Sequence, residues 1–469
     1  MRRDKNLIEK VAELPADLLD ETVAKTSKFA QAIPRAQTIE QNAKDDIKKA
    51  EKKTKEYWNV LGPGLTTGAS DDDPSGIATY SQAGAQYGFQ LLWLSPFTFP
   101  LMSLVQEMCA RIGIVTGRGL AANIRAHFSR RVLYLCTLLL FAANAFNIGA
   151  DLGAMAKAVQ LLNGGVNFYL AVLGFAVLSL LLQIYLPYAR YARYLKWLAL
   201  VLLAYVASAL LANLDWGNVL RQGFTPSIEF SRDQIILICA ILGTTISPYL
   251  FFWQTSQEVE TQIEEGKKTL ASRQGSNHRE IKEMRVDVWS GMFLSNLVMF
   301  FIIAASGAIL FPQGLTEIQS AAQAAEALRP FAGDATFWLF ALGIIGTGML
   351  AIPVLAGASS YAVSESLGWK EGLNKKLRQA HAFYGVLMIS VLIGLAINFL
   401  GIDPIKALIY AAVANGIVAP LILALIVIIS SNKRIMGEWA NRPLTNLLGW
   451  SVTSLMVLAG GAAILVLFG

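Results

Sequence analysis

Histidine and cysteine are nearly missing, with three of each in 469 residues. Cys109, Cys136 and Cys239 stand far apart in apolar context, without a CxxC pair or a Cys/His cluster. That excludes a disulfide framework and a thiolate zinc site, so the three are expected to be small core residues. Charge is scarce too: Asp, Glu, Lys and Arg make up 15% of the chain, against about a quarter in soluble domains. With 54% hydrophobic residues and a mean hydropathy of +0.47, an ordinary soluble fold is excluded and a polytopic membrane protein is expected. The first fifty-odd residues are polar and lack the apolar core of a secretory signal. The net charge of +6 sits largely in loops, where it reports topology rather than nucleic-acid binding.

A bilayer needs about 20 apolar residues per helical crossing. Eleven such runs are present, at 58–87, 90–112, 132–162, 167–188, 194–214, 233–258, 286–311, 334–366, 380–400, 403–430 and 446–468. Arg111, Arg118, Arg125, Arg130 and Arg131 mark the second connection, and Lys267, Lys268, Arg273, Arg279, Lys282 and Arg285 the sixth. Positive connections alternate with connections whose only cations are Arg221, Arg232 and Arg329. This alternation predicts a plasma-membrane protein with the amino terminus inside and the carboxyl terminus outside. Residues 1–57 read as a cytoplasmic arm, mobile to 35 and helical over 36–57, where Asp45 and Lys49 pair at i,i+4.

Inside the first run stand three consecutive aspartates, Asp71, Asp72 and Asp73, followed by Pro74-Ser75-Gly76. Facing lipid, three carboxylates would cost on the order of 8–10 kcal/mol, so water, a cation or both must compensate. Pro74 removes a backbone donor, and the helix is expected to break there. On a continuous helix the three acids would fan over about 200° and could not share one ion. Asp73, at the lip of the break, is the candidate ligand, direct or through water. Asp72 or Asp71 is expected to face the same aqueous space, and the third to be satisfied by protein or water.

A second break is expected where Gly243-Thr244-Thr245-Ile246-Ser247 meets Pro248 in the sixth run. If spans one to five (58–214) and six to ten (233–430) are two units, both breaks fall in the first helix of each. An odd number of helices per unit makes the second copy inverted, with 446–468 left as helix 11. Paired interruptions in inverted halves point to a transporter's substrate site.

From Gly62-Pro63-Gly64 through Asp73-Pro74-Ser75-Gly76, and again over Ala110-Arg111-Ile112-Gly113-Ile114-Val115-Thr116-Gly117, the chain resembles the Nramp family of divalent-metal transporters. The resemblance implies an all-α, LeuT-like fold of eleven transmembrane helices with helices 1 and 6 interrupted. It implies a metal set of Asp73, Gly76, Thr244 and Ser247, with Asp71, Asp72, Asp151, Tyr249 and Gln254 along the pathway. Departures from the family pattern matter. Gly76 stands where an amide is usual, Ser247-Pro248-Tyr249 where Met-Pro-His is usual, and Gln254 where a second histidine is usual. The third span keeps Asp151, with Asn144 and Ala154 in place of flanking acids.

Without the thioether the donor set is all oxygen, and Gly76 is expected to widen it. A wide oxygen site with one clear carboxylate suits partly hydrated magnesium. The chain thus resembles the Nramp-related magnesium branch most, with manganese also admitted. His127, His278 and His381 lie in or beside loops, so import without obligatory proton coupling is expected. A proton-coupled manganese or iron importer is the alternative.

Other features read more plainly. Trp93, Trp197, Trp253, Trp289, Trp338 and Trp450 suit interfacial anchoring. Asn144, Asn147 and Asn415 suit hydrogen bonds between helices, with lining of the pathway as the alternative. Glu258 and Glu260 are expected to be solvated, and Glu365 to lie at the interface. No Gly-x-Gly-Asp motif of an intramembrane aspartyl protease is present, and an acidic break repels amino-acid carboxylates. An enzyme is therefore not expected. No cofactor is implied, since the metal is cargo, and the expected partners are the cation and the bilayer, without nucleic acid or an obligate protein.

Overall fold

The computed structural model describes residues 62–186, 200–212, 214–318 and 320–468, so the arm at 1–57 lies outside the described residues. All longer elements are helical. In chain order they are α1 (Pro63–Asp71), α2 (Pro74–Tyr87), α3 (Leu94–Thr116), α4 (Leu120–His127), α5 (Arg130–Leu162), α6 (Phe168–Tyr185), α7 (Leu203–Leu211) and α8 (Trp216–Phe224). There follow α9 (Arg232–Thr245), α10 (Pro248–Glu264), α11 (His278–Ile309), α12 (Thr336–Leu367), α13 (His381–Ile397), α14 (Pro404–Ser431) and α15 (Pro443–Phe468).

Among the described residues, seven helical segments are long and apolar enough to cross a membrane. The other expected spans correspond to shorter or more polar elements. The first is divided into α1 and α2, the second is α3, the fifth runs into undescribed residues before α7, and the ninth is the shorter α13. Hydropathy underestimates two helices. The seventh run was expected from 286, yet α11 starts at His278, where Asn277 and Glu280 form a reciprocal cap. The sixth was expected to end at 258, and α10 continues to Glu264. Apolar runs mark what sits in hydrocarbon, whereas backbone hydrogen bonding extends past it.

Both expected interruptions are present. The first helix stops at Asp71 and restarts at Pro74. The second stops at Thr245 and restarts at Pro248. Each restart puts proline in the first turn, where its missing N–H is no loss. The broken helices touch crosswise, α1 against α10 and α2 against α9, so they run antiparallel with their breaks level. α5, α11, α12 and α14 pack around them.

Close approach sets the α1–α11 crossing. A Cβ on Gly64 would lie 2.6 Å from the Val288 backbone nitrogen, and one on Gly68 would overlap the Gly291 carbonyl. Trp253 departs from the expected interfacial role. It is fully buried and meets the Tyr361 ring edge-on at 6.4 Å. Trp338 and Trp450 are exposed, as anchors require.

Candidate metal site between the interrupted helices

Asp73 is the N-cap of α2 and the best-connected of the three acids. Its Oδ1 accepts hydrogen bonds from the Gly76 N–H at 2.8 Å and the Ser75 hydroxyl at 2.7 Å. Its Oδ2 accepts from Asn147 Nδ2 of α5 at 2.9 Å. Each carboxylate oxygen has two lone pairs, so this clamp orients the group without exhausting it. Asn147, expected to line the pathway or to hydrogen-bond between helices, makes this interhelical bond, and its own Oδ1 is buried without a hydrogen bond among the described residues.

Asp71 and Asp72 turn instead toward α11, where the Ser295 hydroxyl lies 2.6 Å from Asp71 Oδ2 and 3.3 Å from Asp72 Oδ1. One hydroxyl carries one proton, so it serves one of them at a time. Asp71 Oδ1 is buried and accepts nothing from the described residues. The fan expected of a continuous helix is thus replaced by a split, Asp73 toward α5 and its two neighbours toward α11.

The second break closes on the first. Thr244 Oγ1 lies 3.4 Å from Ser75 Oγ. Ser247 stands at the start of α10 without capping it, and its hydroxyl donates back to the carbonyls of Gly243 at 2.8 Å and Thr244 at 2.6 Å. Its proton is therefore committed, and only oxygen lone pairs remain for a cation. The carboxyl ends of α1 and α9 both point carbonyls toward the breaks, the electronegative ends of two helix dipoles.

Gly76 departs from its expected role. A Cβ there would meet Tyr80 at 3.3 Å and both the Asp71 carbonyl and Thr244 Oγ1 at 3.4 Å. Ordinary neighbours already surround the position, so the glycine brings the two breaks together rather than opening a wide space.

The pathway candidates divide. The Tyr249 hydroxyl donates to the Ser70 carbonyl at 3.2 Å, and the Thr67 hydroxyl donates to Gln254 Oε1 at 2.5 Å, so both residues of α10 tie down α1. Gln254 Nε2 in turn donates to Glu258 Oε1 at 2.8 Å. Asp151, one helical turn beyond Asn147 on α5, is fully buried, and neither of its oxygens accepts a hydrogen bond among the described residues. Asn144 holds the Leu355 carbonyl and the Ser359 hydroxyl of α12, the bridging role expected of it.

Three glutamates correct their expected places. Glu258 and Glu260 are buried rather than solvated, Glu260 accepting from the Tyr361 hydroxyl at 2.9 Å. Glu365 is buried too, accepting from the Ala122 N–H at 2.9 Å and the Ser256 hydroxyl at 3.0 Å. Asp287 carried no expectation. It accepts from the N–H groups of Gly62, Gly64 and Leu65 at 2.6–3.0 Å, capping α1 from α11. Its one sequence signal was an acid in the first turns of an apolar run.

Comparison with known proteins gives the family and the fold. The family described as natural resistance-associated macrophage protein-like, Nramp, matches residues 64–466. The divalent metal cation transporter MntH of Caldanaerobacter subterraneus is 24% identical over 87% of this chain and 93% of its own. That of Klebsiella pneumoniae is 26% identical over 86% and 92%. Among solved structures, the Eremococcus coleocola manganese transporter aligns with a TM-score of 0.66 at 20% identity, covering 87% of this chain and 86% of that one. Mhp1, a nucleobase-cation-symport-1 transporter, aligns at 0.52 and 14% identity over 87% and 91%. These likenesses show the expected LeuT-like helical fold, and with the family match over most of its length the chain belongs to the Nramp family of divalent-metal transporters, not enzymes.

Proposed function

We propose that this chain imports divalent cations by alternating access at an oxygen-lined site between its two interrupted helices, with Asp73 as the principal ligand. The observation that carries this reading is the convergence of Asp73, the Thr244 hydroxyl and two helix carboxyl ends at one level of the helix bundle. Ser247 contributes lone pairs, Gly76 permits the approach, and Asp71, Asp72 and Asp151 supply negative potential. Tyr249 and Gln254 hold α1 in place.

Two ion readings follow. In the first, manganese or iron enters with protons; the relatives, whose names specify divalent metal cations or manganese, support its manganese part. Magnesium import without obligatory proton coupling rests on the donor set itself. No thioether or imidazole stands in the Ser247-Pro248-Tyr249 break, and hard oxygen donors suit magnesium as well as manganese. Flux into proteoliposomes with magnesium, manganese and cadmium separates them. Magnesium uptake unaffected by equimolar cadmium supports the second reading, and uptake of manganese alone supports the first.

The architecture proposed with this function is eleven spans in two inverted units, 58–214 and 233–430, with 446–468 as an added helix. The antiparallel crossing of the broken helices supports it. The amino terminus is placed in the cytoplasm by loop charge. Cysteine-accessibility labelling of single-cysteine variants at Arg130 and Leu400 checks that placement: reagent added to intact cells reaches position 400 and not 130.

A further inference from the structure

We propose that a groove at one end of α5, α12 and α13 is a binding site for an anionic phospholipid, its acyl chain in the groove and its phosphate at Arg130 and Arg131. The groove has a volume of about 330 Å³ and is lined by Tyr134, Leu138 and Phe141 of α5, Val363 of α12, and Val386 and Ile389 of α13. Its two buried polar side chains, Thr137 and Ser366, bond to one another at 2.8 Å. The Tyr134 hydroxyl, on a ring exposed near the start of α5, is the other polar group; the rest of the wall is apolar, so the groove suits an apolar occupant.

The amino ends of α5 and α13 and the carboxyl end of α12 meet here. α5 begins at Arg130, α12 ends at Leu367 and α13 begins at His381, so the groove occupies the first turns beneath a shared membrane face. Tyr134 to Phe141 lie about 6–16 Å along α5 from Arg130, the depth of acyl carbons below a phosphate at that level. The rim is basic: Arg130, Arg131, Arg378 and His381 are all exposed. Among the described residues no carboxylate pairs with Arg130, Arg131 or Arg378. An apolar slot under arginines that no described carboxylate pairs with matches one amphiphile, an acyl chain under a negative head. The groove is separate from the ion site. Only its assignment to the cytoplasmic leaflet rests on the topology proposed above, and lipid binding in detergent is read without it.

The test is native mass spectrometry of the purified full chain with phosphatidylglycerol or phosphatidylcholine of identical acyl chains. Phosphatidylglycerol is expected to be retained on the order of tenfold more strongly. The double variant Arg130→Gln/Arg131→Gln is expected to lose that preference, and Arg130→Lys/Arg131→Lys to keep it, which separates charge from folding. Val363→Trp, filling the slot, is expected to lose both lipids while its lipid-free melting temperature stays near that of the parent. Equal retention of the two lipids by the parent, or unchanged phosphatidylglycerol binding in either the Gln or the Trp variant, overturns the proposal. So does a shift of Val363→Trp from dimer to monomer, which would make the groove an interface between copies of this chain.

Discussion

At the scale of the residue, the site is built on one carboxylate held by three donors, and its neighbours act through it. Replacing Asp73 with Ala removes the ligand and leaves Ser75, Gly76 and Asn147 without their acceptor. Metal uptake is expected to fall to that of protein-free vesicles, and uptake above background would refute the assignment. Asn147→Ala removes only the clamp on Oδ2. A hydrogen bond to a charged group contributes about 1.5–3 kcal/mol, so half-saturation is expected to rise tenfold or more with folding intact. Glu371, in the connection after α12, titrates for a different reason. Burial, then the nearby Glu365 carboxylate, push its pKa up to about 9, whereas an unfolded glutamate sits near 4.3. Between those values the folded chain binds more protons than the unfolded one, so stability falls as pH rises through that window. The melting temperature is expected to drop from pH 5 toward pH 9, and Glu371→Gln to flatten the slope.

At the scale of the element, the breaks were readable and their partners were not. Pro74 and Pro248 each delete a backbone donor inside an apolar run, and carboxylates in such a run need compensation, so local chemistry pointed to both interruptions. Asn147, Ser295 and Asp287 meet the first broken helix from 74 to 225 positions away in sequence. Separation of that order leaves no local pattern to read. At Gly76 the expected widening fails partly for the same reason, since Thr244 approaches from α9, while Tyr80 fills the space from the next turn of the same helix. Glycine spacing on α1 carried a signal whose meaning only packing reveals. Gly64 and Gly68 lie one turn apart and let α11 approach backbone to backbone at Val288 and Gly291. Gly68→Ala forces a methyl into the Gly291 carbonyl, and overpacking of this kind costs about 1–3 kcal/mol. A lowered melting temperature with Gly84→Ala as comparison is the expected result, because Gly84 meets the same helix at its other end, near Ile303.

At the scale of the whole molecule, the question is what drives the ion. The chain has three histidines, His127, His278 and His381, and all lie at the outer ends of helices, away from the breaks. The buried groups near Asp73 that remain for a proton route are Asp71, Asp72 and Asp151. If none of them must load a proton, the membrane potential alone supplies the work, about 4.6 kcal/mol per 100 mV for a divalent ion. That corresponds to an accumulation on the order of a thousandfold per 100 mV. Proteoliposomes with a potassium diffusion potential set by valinomycin measure this directly. Without coupling, uptake should scale with the imposed potential, be insensitive to an imposed pH gradient and leave internal pH unchanged. With coupling, an inward proton gradient should drive uptake at zero potential and the lumen should acidify in step with the metal. Asp151→Asn sharpens the comparison: it should leave uncoupled flux in place and abolish acidification where a proton travels through α5.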